Sequence, residues 1–521
     1  MTPYLLHHFL DCSAQKTPDG ICLVHGKERV SYAEMATGAN RITRVLQDCG
    51  LRRGDRVGLM SANSVFFAQC FHGILQAGGI VVPMNTAANA DTLAYSVRDC
   101  GAKILIAGRG TLRVVQGALT LLPDLTHLWC EGATRLKEVP PHVACEDLIA
   151  ARSAREGEPI HVRLIDQDVA CIVYTSGSTG KARGATLTHL NCVANVEAVV
   201  RYLELVPQDR VLAVLPFYYI YGMSVLNTHI AAGATVVIEN RFLYPQVAVD
   251  AIDTEQCTGF SGVPSTFAIL LNRTDFAKRE FPRLRYVTQA GGAMSPALQK
   301  RLLEVLPGKR IFIMYGATEA AGRLSYLPSE HLADNIGCIG KAIDNVELLL
   351  LKPDGSPAAP GEVGEIVARG SCIMRGYWGA PEETAKALDD NGYRTGDLAI
   401  CEPSGYFRIV GRKKDMIKSG AHRISAKEIE EAILECSDVH EAAVIGVPDE
   451  ILGEAIHAYV VTKEKDAPLP SLEGFLAARL PKYKLPKSIE TRQDLPKSQS
   501  GKIMKEVLRE EYRSKSVPLS S

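Results

Sequence analysis

The chain contains no Cys-x-x-Cys pair. Its fourteen cysteines lie singly between Cys12 and Cys436, a scatter that builds no zinc knuckle and predicts reduced, mostly buried thiols. An excess of either charge is also missing: 58 Lys and Arg face 59 Asp and Glu, a formal net charge of −1. That balance gives no reason to expect a nucleic-acid surface or a polybasic membrane patch. The opening stretch Met1-Thr-Pro-Tyr-Leu-Leu-His-His-Phe-Leu10 lacks a basic start and a sustained apolar run, so it does not read as a secretory signal. The last residues, Pro518-Leu-Ser-Ser521, form neither a peroxisomal address nor a prenylation box, and a cytoplasmic location is the expectation. An unbroken apolar span is lacking too. Residues 211–239 carry no charge before Glu239, but Pro216, Gly222, Asn227, His229 and Gly233 divide them into a strand, a loop, a short helix and another strand. No transmembrane segment is expected there.

What is present is the composition of a globular protein, 46% hydrophobic and 22% charged over 521 residues. That length predicts two to four folding units, each able to bury a core. The most distinctive stretch is Tyr174-Thr-Ser-Gly-Ser-Thr-Gly-Lys-Ala-Arg-Gly-Ala185. Gly177 and Gly180 let backbone N–H groups turn toward one anion, the hydroxyls of Thr175, Ser176, Ser178 and Thr179 add donors, and Lys181 adds a point charge. Phosphate is the ligand this combination predicts. The apolar run 168–174 before it reads as a buried strand, which puts the loop at a strand end. A P-loop is excluded, because only two residues separate the glycines and Ala182 stands where Ser or Thr should follow the lysine. The serine-hydrolase elbow fails because Ser176 occupies the place of its first glycine. A merely flexible Gly/Ser loop is the bland alternative.

Residues 1 to about 165 alternate helical and strand patterns, with Ser31-Tyr-Ala-Glu opening an amphipathic helix through Leu46 and strands at 56–60, 81–82 and 103–107. This βαβ rhythm favours a largely parallel sheet covered on both faces. It continues with strands predicted at 211–215, 234–238, 258–261, 284–288 and 310–313. The loops after them carry Pro216-Phe-Tyr-Tyr-Ile-Tyr-Gly222, Gly262-Val-Pro-Ser265, Ala290-Gly-Gly-Ala293 and Tyr315-Gly-Ala-Thr-Glu-Ala320. With the glycine loop, five strand ends are expected to converge on one cleft. From Ile336 short glycine-punctuated strands predict a small β-rich subdomain, about 336–411. Near Arg412 the texture changes to a compact α+β lobe of about 110 residues. That lobe closes with Pro496-Lys-Ser-Gln-Ser-Gly-Lys-Ile503 and a charged helix.

Five stretches, Tyr174–Ala185, Tyr315–Ala320, Tyr393-Arg-Thr-Gly-Asp397, Gly411-Arg-Lys-Lys-Asp-Met-Ile-Lys-Ser-Gly-Ala-His-Arg-Ile-Ser425 and Pro496–Ile503, stand in an order and spacing that resembles the adenylate-forming superfamily. That superfamily comprises acyl-CoA and aryl-CoA synthetases, nonribosomal adenylation domains and firefly-type luciferases, and the resemblance runs from about residue 10 to 510. It implies an α/β fold with a large N-terminal domain of stacked, helix-covered sheets (1–411), and a mobile C-terminal α+β lobe (412–521). It also implies an enzyme that joins a carboxylic acid to ATP, releases pyrophosphate, and passes the acyl group to a thiol. CoA is the simplest acceptor and a free-standing acyl carrier protein the alternative. A luciferase-like oxygenase or a non-catalytic relative is the more remote reading.

The resemblance carries roles residue by residue. Residues Thr175 to Lys181 would wrap the β- and γ-phosphates. Tyr315 would stack on adenine, with Gly316 beside it and Gly291 and Gly292 flat along the base. Thr318 would bond the α-phosphate and Glu319 hold Mg²⁺. Asp397 and Arg412 would take the ribose hydroxyls. Lys502 would bridge the substrate carboxylate and the α-phosphate, and Lys414 would be the pivot of the small lobe. Tyr219, Tyr221, Met223, Val263, Ala290 and Gly322 are the expected acyl-pocket lining. Two departures from the family pattern bear on the acid. Tyr219 stands where histidine is common in Pro-x-Phe-His. Gly222 stands where amino-acid-activating domains carry an aspartate, so no carboxylate is offered to an α-ammonium group.

Overall fold

The computed structural model describes residues 2–132, 136–175, 182–419, 422–436, 438–449, 451–463, 472–497 and 503–516. Two large sheets carry the N-terminal part. The first has nine strands in the order Lys341–Ala342, Ser325–Leu327, Arg310–Tyr315, Tyr286–Gln289, Gly259–Gly262, Arg210–Ala213, Thr235–Ile238, Ile21–His25 and Glu28–Ser31. Its centre is parallel, with Val211 opposite both Val236 and Gly259, and Val287 opposite Ile311. The second has eight: Gly376–Tyr377, Arg183–Thr188, Val169–Thr175, Ile80–Pro83, Arg56–Met60, Ile104–Ala107, His127–Cys130 and Ala144–Asp147.

Two helices fill the space between these sheets, and their sequences explain why. Tyr32–Asp48 starts on a reciprocal cap: the Ser31 hydroxyl accepts from Glu34 N–H at 3.2 Å while the Glu34 carboxylate accepts from Ser31 N–H at 2.8 Å. Val65–Gln76 is mostly apolar and every residue in it is buried, Gln69, His72 and Gln76 included, as in a helix packed on all sides. Phe67 and Phe71, both fully buried, join one core with Leu59, Val81 and Cys171 of the second sheet and Val211, Val236 and Phe312 of the first. Truncating either ring to alanine is worth about 3–5 kcal/mol.

The five strands whose ends are expected at one cleft belong to two sheets. Val169–Thr175 lies in the second sheet, and the chain turns back from it into Arg183–Thr188 as an antiparallel pair, Tyr174 opposite Gly184. The glycine stretch therefore joins a hairpin rather than a strand and a helix. Strand periodicity reads the same whichever sheet takes the strand, because sheet membership is set by long-range pairing.

A third sheet of short strands matches the β-rich texture after Ile336: Val346–Leu351, Gly364–Gly370, Gly392–Cys401 and Leu388–Asp389 in order, with Phe407–Arg412 paired to Gly392–Cys401. The fourth sheet holds His422–Ser425, Met416–Ser419, Gly453–Thr462 and Val439–Asp449, with Ser488–Arg492 parallel to Gly453–Thr462. Helices Ala426–Leu434 and Lys505–Ser516 cover it, and it has its own apolar clusters around Ile429 and Leu508. The fourteen cysteines are free thiols. Among the described residues no helix is long and apolar enough to cross a membrane.

Candidate active site

The strand Arg310–Tyr315 delivers Tyr315 to the edge of the third sheet. There the Tyr315 hydroxyl donates to Asp397 Oδ2 at 2.7 Å. Asp397 and Arg412 face each other across the antiparallel pair Gly392–Cys401 and Phe407–Arg412, and Arg412 Nε donates to Asp397 Oδ1 at 2.7 Å. Asp397 is 5% exposed, whereas the Arg412 side chain is 53% exposed, so the carboxylate is fixed and its cation reaches outward. Burial, then the Asp397 charge, hold the Tyr315 phenol well above its usual range, which keeps it a donor.

Directly after Tyr315 the chain doubles back. Thr318–Ala320 is a single 3₁₀ turn, Ala321 follows with φ 51° in the left-handed region, and Gly322 N–H returns to Ala317 C=O at 3.0 Å. Gly316 must lack a side chain here, since a Cβ would stand 2.3 Å from Gly322 O and 2.8 Å from Arg323 Cα. Asn195 clamps the turn from the helix His189–Leu203, its amide donating to Ala320 O at 3.2 Å and Arg323 O at 2.9 Å. The turn presents Glu319, whose Oε1 accepts from the Tyr377 hydroxyl at 2.8 Å. Tyr377 comes from the edge strand paired with Arg183–Thr188, and Arg183 lies 4.8 Å over its ring while pairing with Glu383 at 2.6 Å. No cation pairs with Glu319 among the described residues. A half-exposed carboxylate aimed by a phenol fits the hard oxygen ligation that Mg²⁺ takes.

Thr175 ends its strand, and residues 176–181, which include Ser176, Gly177, Ser178, Thr179, Gly180 and Lys181, lie outside the described residues, as does Lys502. The strands flanking the stretch are tied down: Tyr174 donates to Asp99 at 2.5 Å, and Tyr95 donates to Ala182 O at 3.0 Å.

Several expected lining residues gather where the helix Ile220–Ala231 meets the ends of Gly259–Gly262 and Tyr286–Gln289. Tyr221 donates to Thr288 O at 3.0 Å and lies 2.8 Å from Thr288 Oγ1. A Cβ on Gly291, which has φ 82°, would meet Val263 Cγ1 at 3.1 Å, and the Gln289 amide holds Gly292 O at 2.7 Å. Ala290 is buried next to them. Tyr219 caps the helix start, its hydroxyl accepting from Asn85 at 3.2 Å. Met223 is buried in the core between the sheets. Gly222 has a steric cause: a Cβ there would lie 2.1 Å from Pro216 O and 2.8 Å from Leu215 O.

Lys414 lies in the short turn Lys413–Asp415 that leads from the third sheet to the fourth. Its neighbours are anchored on opposite sides, Lys413 to Glu365 of the third sheet at 3.1 Å and Asp415 to Arg509 of the terminal helix at 2.9 Å. Sequence reasoning missed Tyr377, Arg183 and Asn195, which act on the site through long-range contacts; Tyr377 and Asn195 stand in unremarkable local sequence, and Arg183 lies in the glycine stretch without a role read for it.

Comparison with known proteins agrees with this arrangement. Residues 10–378 match the AMP-binding enzyme family and residues 428–502 the AMP-binding enzyme C-terminal domain. The chain is 33% identical over 503 residues to a feruloyl-CoA synthase of Amycolatopsis sp, covering 96% of this chain and 97% of that protein. It is 30% identical over 531 residues to a long-chain-fatty-acid–CoA ligase of Bacillus subtilis, covering 97% and 94%. Among solved structures, an anthranilate CoA ligase in complex with anthranoyl-AMP superposes with a TM-score of 0.89 at 25% identity over 98% of both chains. The o-succinylbenzoate CoA synthetase of Bacillus subtilis, in complex with ATP and magnesium ion, does so at 0.84 and 26%, covering 97% and 99%. Matched by both models over most of its length, and aligned nearly end to end with CoA ligases, the chain belongs to the AMP-binding enzyme family.

Proposed function

We propose that this site runs two coupled displacements. The protein is an AMP-forming acid–thiol ligase: a carboxylic acid and ATP give an acyl-adenylate and pyrophosphate, and CoA takes the acyl group with release of AMP. The observation that carries the assignment of residues is the Tyr315–Asp397–Arg412 cluster, a buried carboxylate held by a phenol and a guanidinium at the edge of two sheets.

In this reading Tyr315 lies against the adenine, and Asp397 accepts the ribose hydroxyls with Arg412 at its side. The stretch from Thr175 to Lys181 holds the departing β- and γ-phosphates. Glu319 would hold Mg²⁺, which would supply positive charge to the phosphates. Thr318 donates to the α-phosphate from the turn that Asn195 clamps. No general base is needed in the first step, because the acid is ionised at neutral pH. Its oxygen attacks the α-phosphorus while the bond to the β-phosphate oxygen breaks. Lys502 offsets the repulsion between the two anions. In the second step the thiol sulfur attacks the acyl carbon and AMP leaves. The lobe after Arg412 turns between the steps, with Lys414 as pivot, and the opposed anchors of Lys413 and Asp415 support that placement.

Gly222 argues against an α-amino acid, since the position where a counter-charge would stand is closed by the Pro216 and Leu215 carbonyls. ATP–pyrophosphate exchange over a panel of carboxylic acids tests the first step and names the acid. Adding CoA, and separately a carrier protein bearing phosphopantetheine, to the best acid identifies the acceptor. No acid-dependent exchange with any acid would overturn the reading.

A further inference from the structure

Arg323 is a buried cation without an anion. The residue is 2% exposed, among the largest fully buried side chains described, and no carboxylate pairs with it among the described residues. Other partly buried arginines are matched, Arg285 by Asp209 and Arg183 by Glu383. The guanidinium of Arg323 has only neutral company: Nη1 donates to Gly322 O at 2.9 Å, the Tyr221 ring lies 4.8 Å from Cζ, and the Tyr202 hydroxyl is beside it. Among the described residues Nε is buried with no partner. An isolated charge is expensive to bury, and the expense is offset when an opposite charge arrives.

The surroundings are built rather than incidental. Tyr221 is pinned through its hydroxyl to Thr288, whose own hydroxyl is 2.8 Å from Ser261 Oγ. Tyr202 is fixed by stacking on Tyr326 at 4.1 Å. Arg323 directly follows the turn that carries Thr318 and Glu319, with its Cα against Gly316. Next to it Gly322 packs against the helix start, where a Cβ would already touch Ile220 Cγ1 at 3.4 Å and Ile220 O at 3.6 Å.

We propose that Arg323 is the anion-binding end of the acyl pocket, and that the acid this enzyme activates carries a second anionic group. The reacting carboxylate meets the α-phosphate at Thr318, while the second, at the end of a short chain or across an aromatic ring, takes the free Nε edge of Arg323. The closeness of Arg323 to the Thr318 turn sets the size: a compact diacid, not a long aliphatic chain. A neutral acid would leave the guanidinium unpaired, so selectivity comes from rejection as much as from attraction. This rests on the pocket assigned above, and the test separates the two.

The experiment is ATP–pyrophosphate exchange by the full-length enzyme on matched pairs, each a short aliphatic or aryl dicarboxylic acid and its half-methyl ester. The expected result is a kcat/KM about a hundredfold higher for the diacid in at least one pair. Arg323→Met then lowers the diacid about a hundredfold relative to its half-ester, and Arg323→Lys restores part of the preference. Half-esters or plain monoacids exchanging as well as every diacid, or Arg323→Met lowering both members of a pair alike, would overturn the proposal while leaving the ligase reading intact. Absence of exchange with any acid would instead sink the ligase reading beneath it. If Arg323→Met does not fold, the wild-type pairs decide alone.

Discussion

Replacing Asp397 by asparagine isolates the charge of the carboxylate while keeping its shape. In the folded protein Asp397 already satisfies Tyr315 and Arg412, each at 2.7 Å, and asparagine can still accept from one of them. What it loses is the charge on the oxygen pair that the proposed function assigns to the ribose diol. A hydrogen bond to a charged group contributes about 1.5–3 kcal/mol, a neutral one about 1. Two ribose hydroxyls therefore lose about 1–4 kcal/mol between them, or roughly fivefold to a thousandfold in kcat/KM for ATP. The Arg412 ion pair adds little to stability because that side chain is 53% exposed, where such pairs contribute about 0–1 kcal/mol.

The assay is pyrophosphate exchange with ATP and with 2′-deoxy-ATP, for wild type and Asp397→Asn. If Asp397 binds the ribose, removing the 2′-hydroxyl harms wild type more than the variant, since the interaction is already weakened there. Equal penalties in the two proteins would refute the ribose assignment even if activity falls. A large drop in melting temperature would transfer the loss to folding.

Gly222→Ala should destabilise the protein by about 1–3 kcal/mol in thermal denaturation, because its Cβ would stand 2.1 Å from Pro216 O; unchanged melting would mean the loop yields freely. His72 is fully buried with neither ring nitrogen partnered, and burial holds its imidazole down to about 3 against 6.5 when exposed. The native state therefore binds fewer protons than the unfolded chain between those values. The stability linked to this group is whole above pH 6.5 and is lost as the pH falls toward 3, by up to about 5 kcal/mol. His72→Phe should flatten that acid limb in a pH series of melting curves, and a parallel curve would disprove it. Lys502→Ala should abolish exchange yet leave thioester formation from supplied acyl-adenylate largely intact, and loss of both half-reactions would remove Lys502 from its role. Lys414→Pro should slow thioester formation more than exchange; equal slowing argues against a pivot there.

The sequence made the strands, the glycine stretch and the order of the motifs legible because each depends on local pattern: apolar runs, turn residues and capping pairs such as Ser31 with Glu34. It also carried Asp397 and Arg412 together. What stayed hidden depends on register and long-range packing. Nothing in the residues around Tyr377 says that its phenol will meet Glu319, 58 positions earlier. Nor does periodicity tell that Val169–Thr175 enters a different sheet from Arg310–Tyr315. Gly222 was legible as an absence, a missing carboxylate, but only the approach of the Pro216 carbonyl gives that absence a steric cause.

The placement of Lys414 bears on how one nucleotide can serve two reactions. The groups assigned to adenosine, Tyr315, Asp397 and Arg412, precede residue 414 in the chain, and Arg412 is hydrogen-bonded into the third sheet opposite Asp397. Met416–Ser419, the first strand after the turn, belongs to the fourth sheet. Rotation at Lys414 would therefore carry Lys502 with the fourth sheet and leave the adenosine cluster whole. The adenylate would stay held while the group that promoted its formation withdraws and the thiol approaches. A pivot before Asp397 would pull the ribose contact apart with each turn and release the intermediate to water. A pivot after residue 502 would leave Lys502 where it is. Between these limits Lys413–Asp415 is the turn where the chain passes from the third sheet to the fourth, anchored to Glu365 on one side and Arg509 on the other.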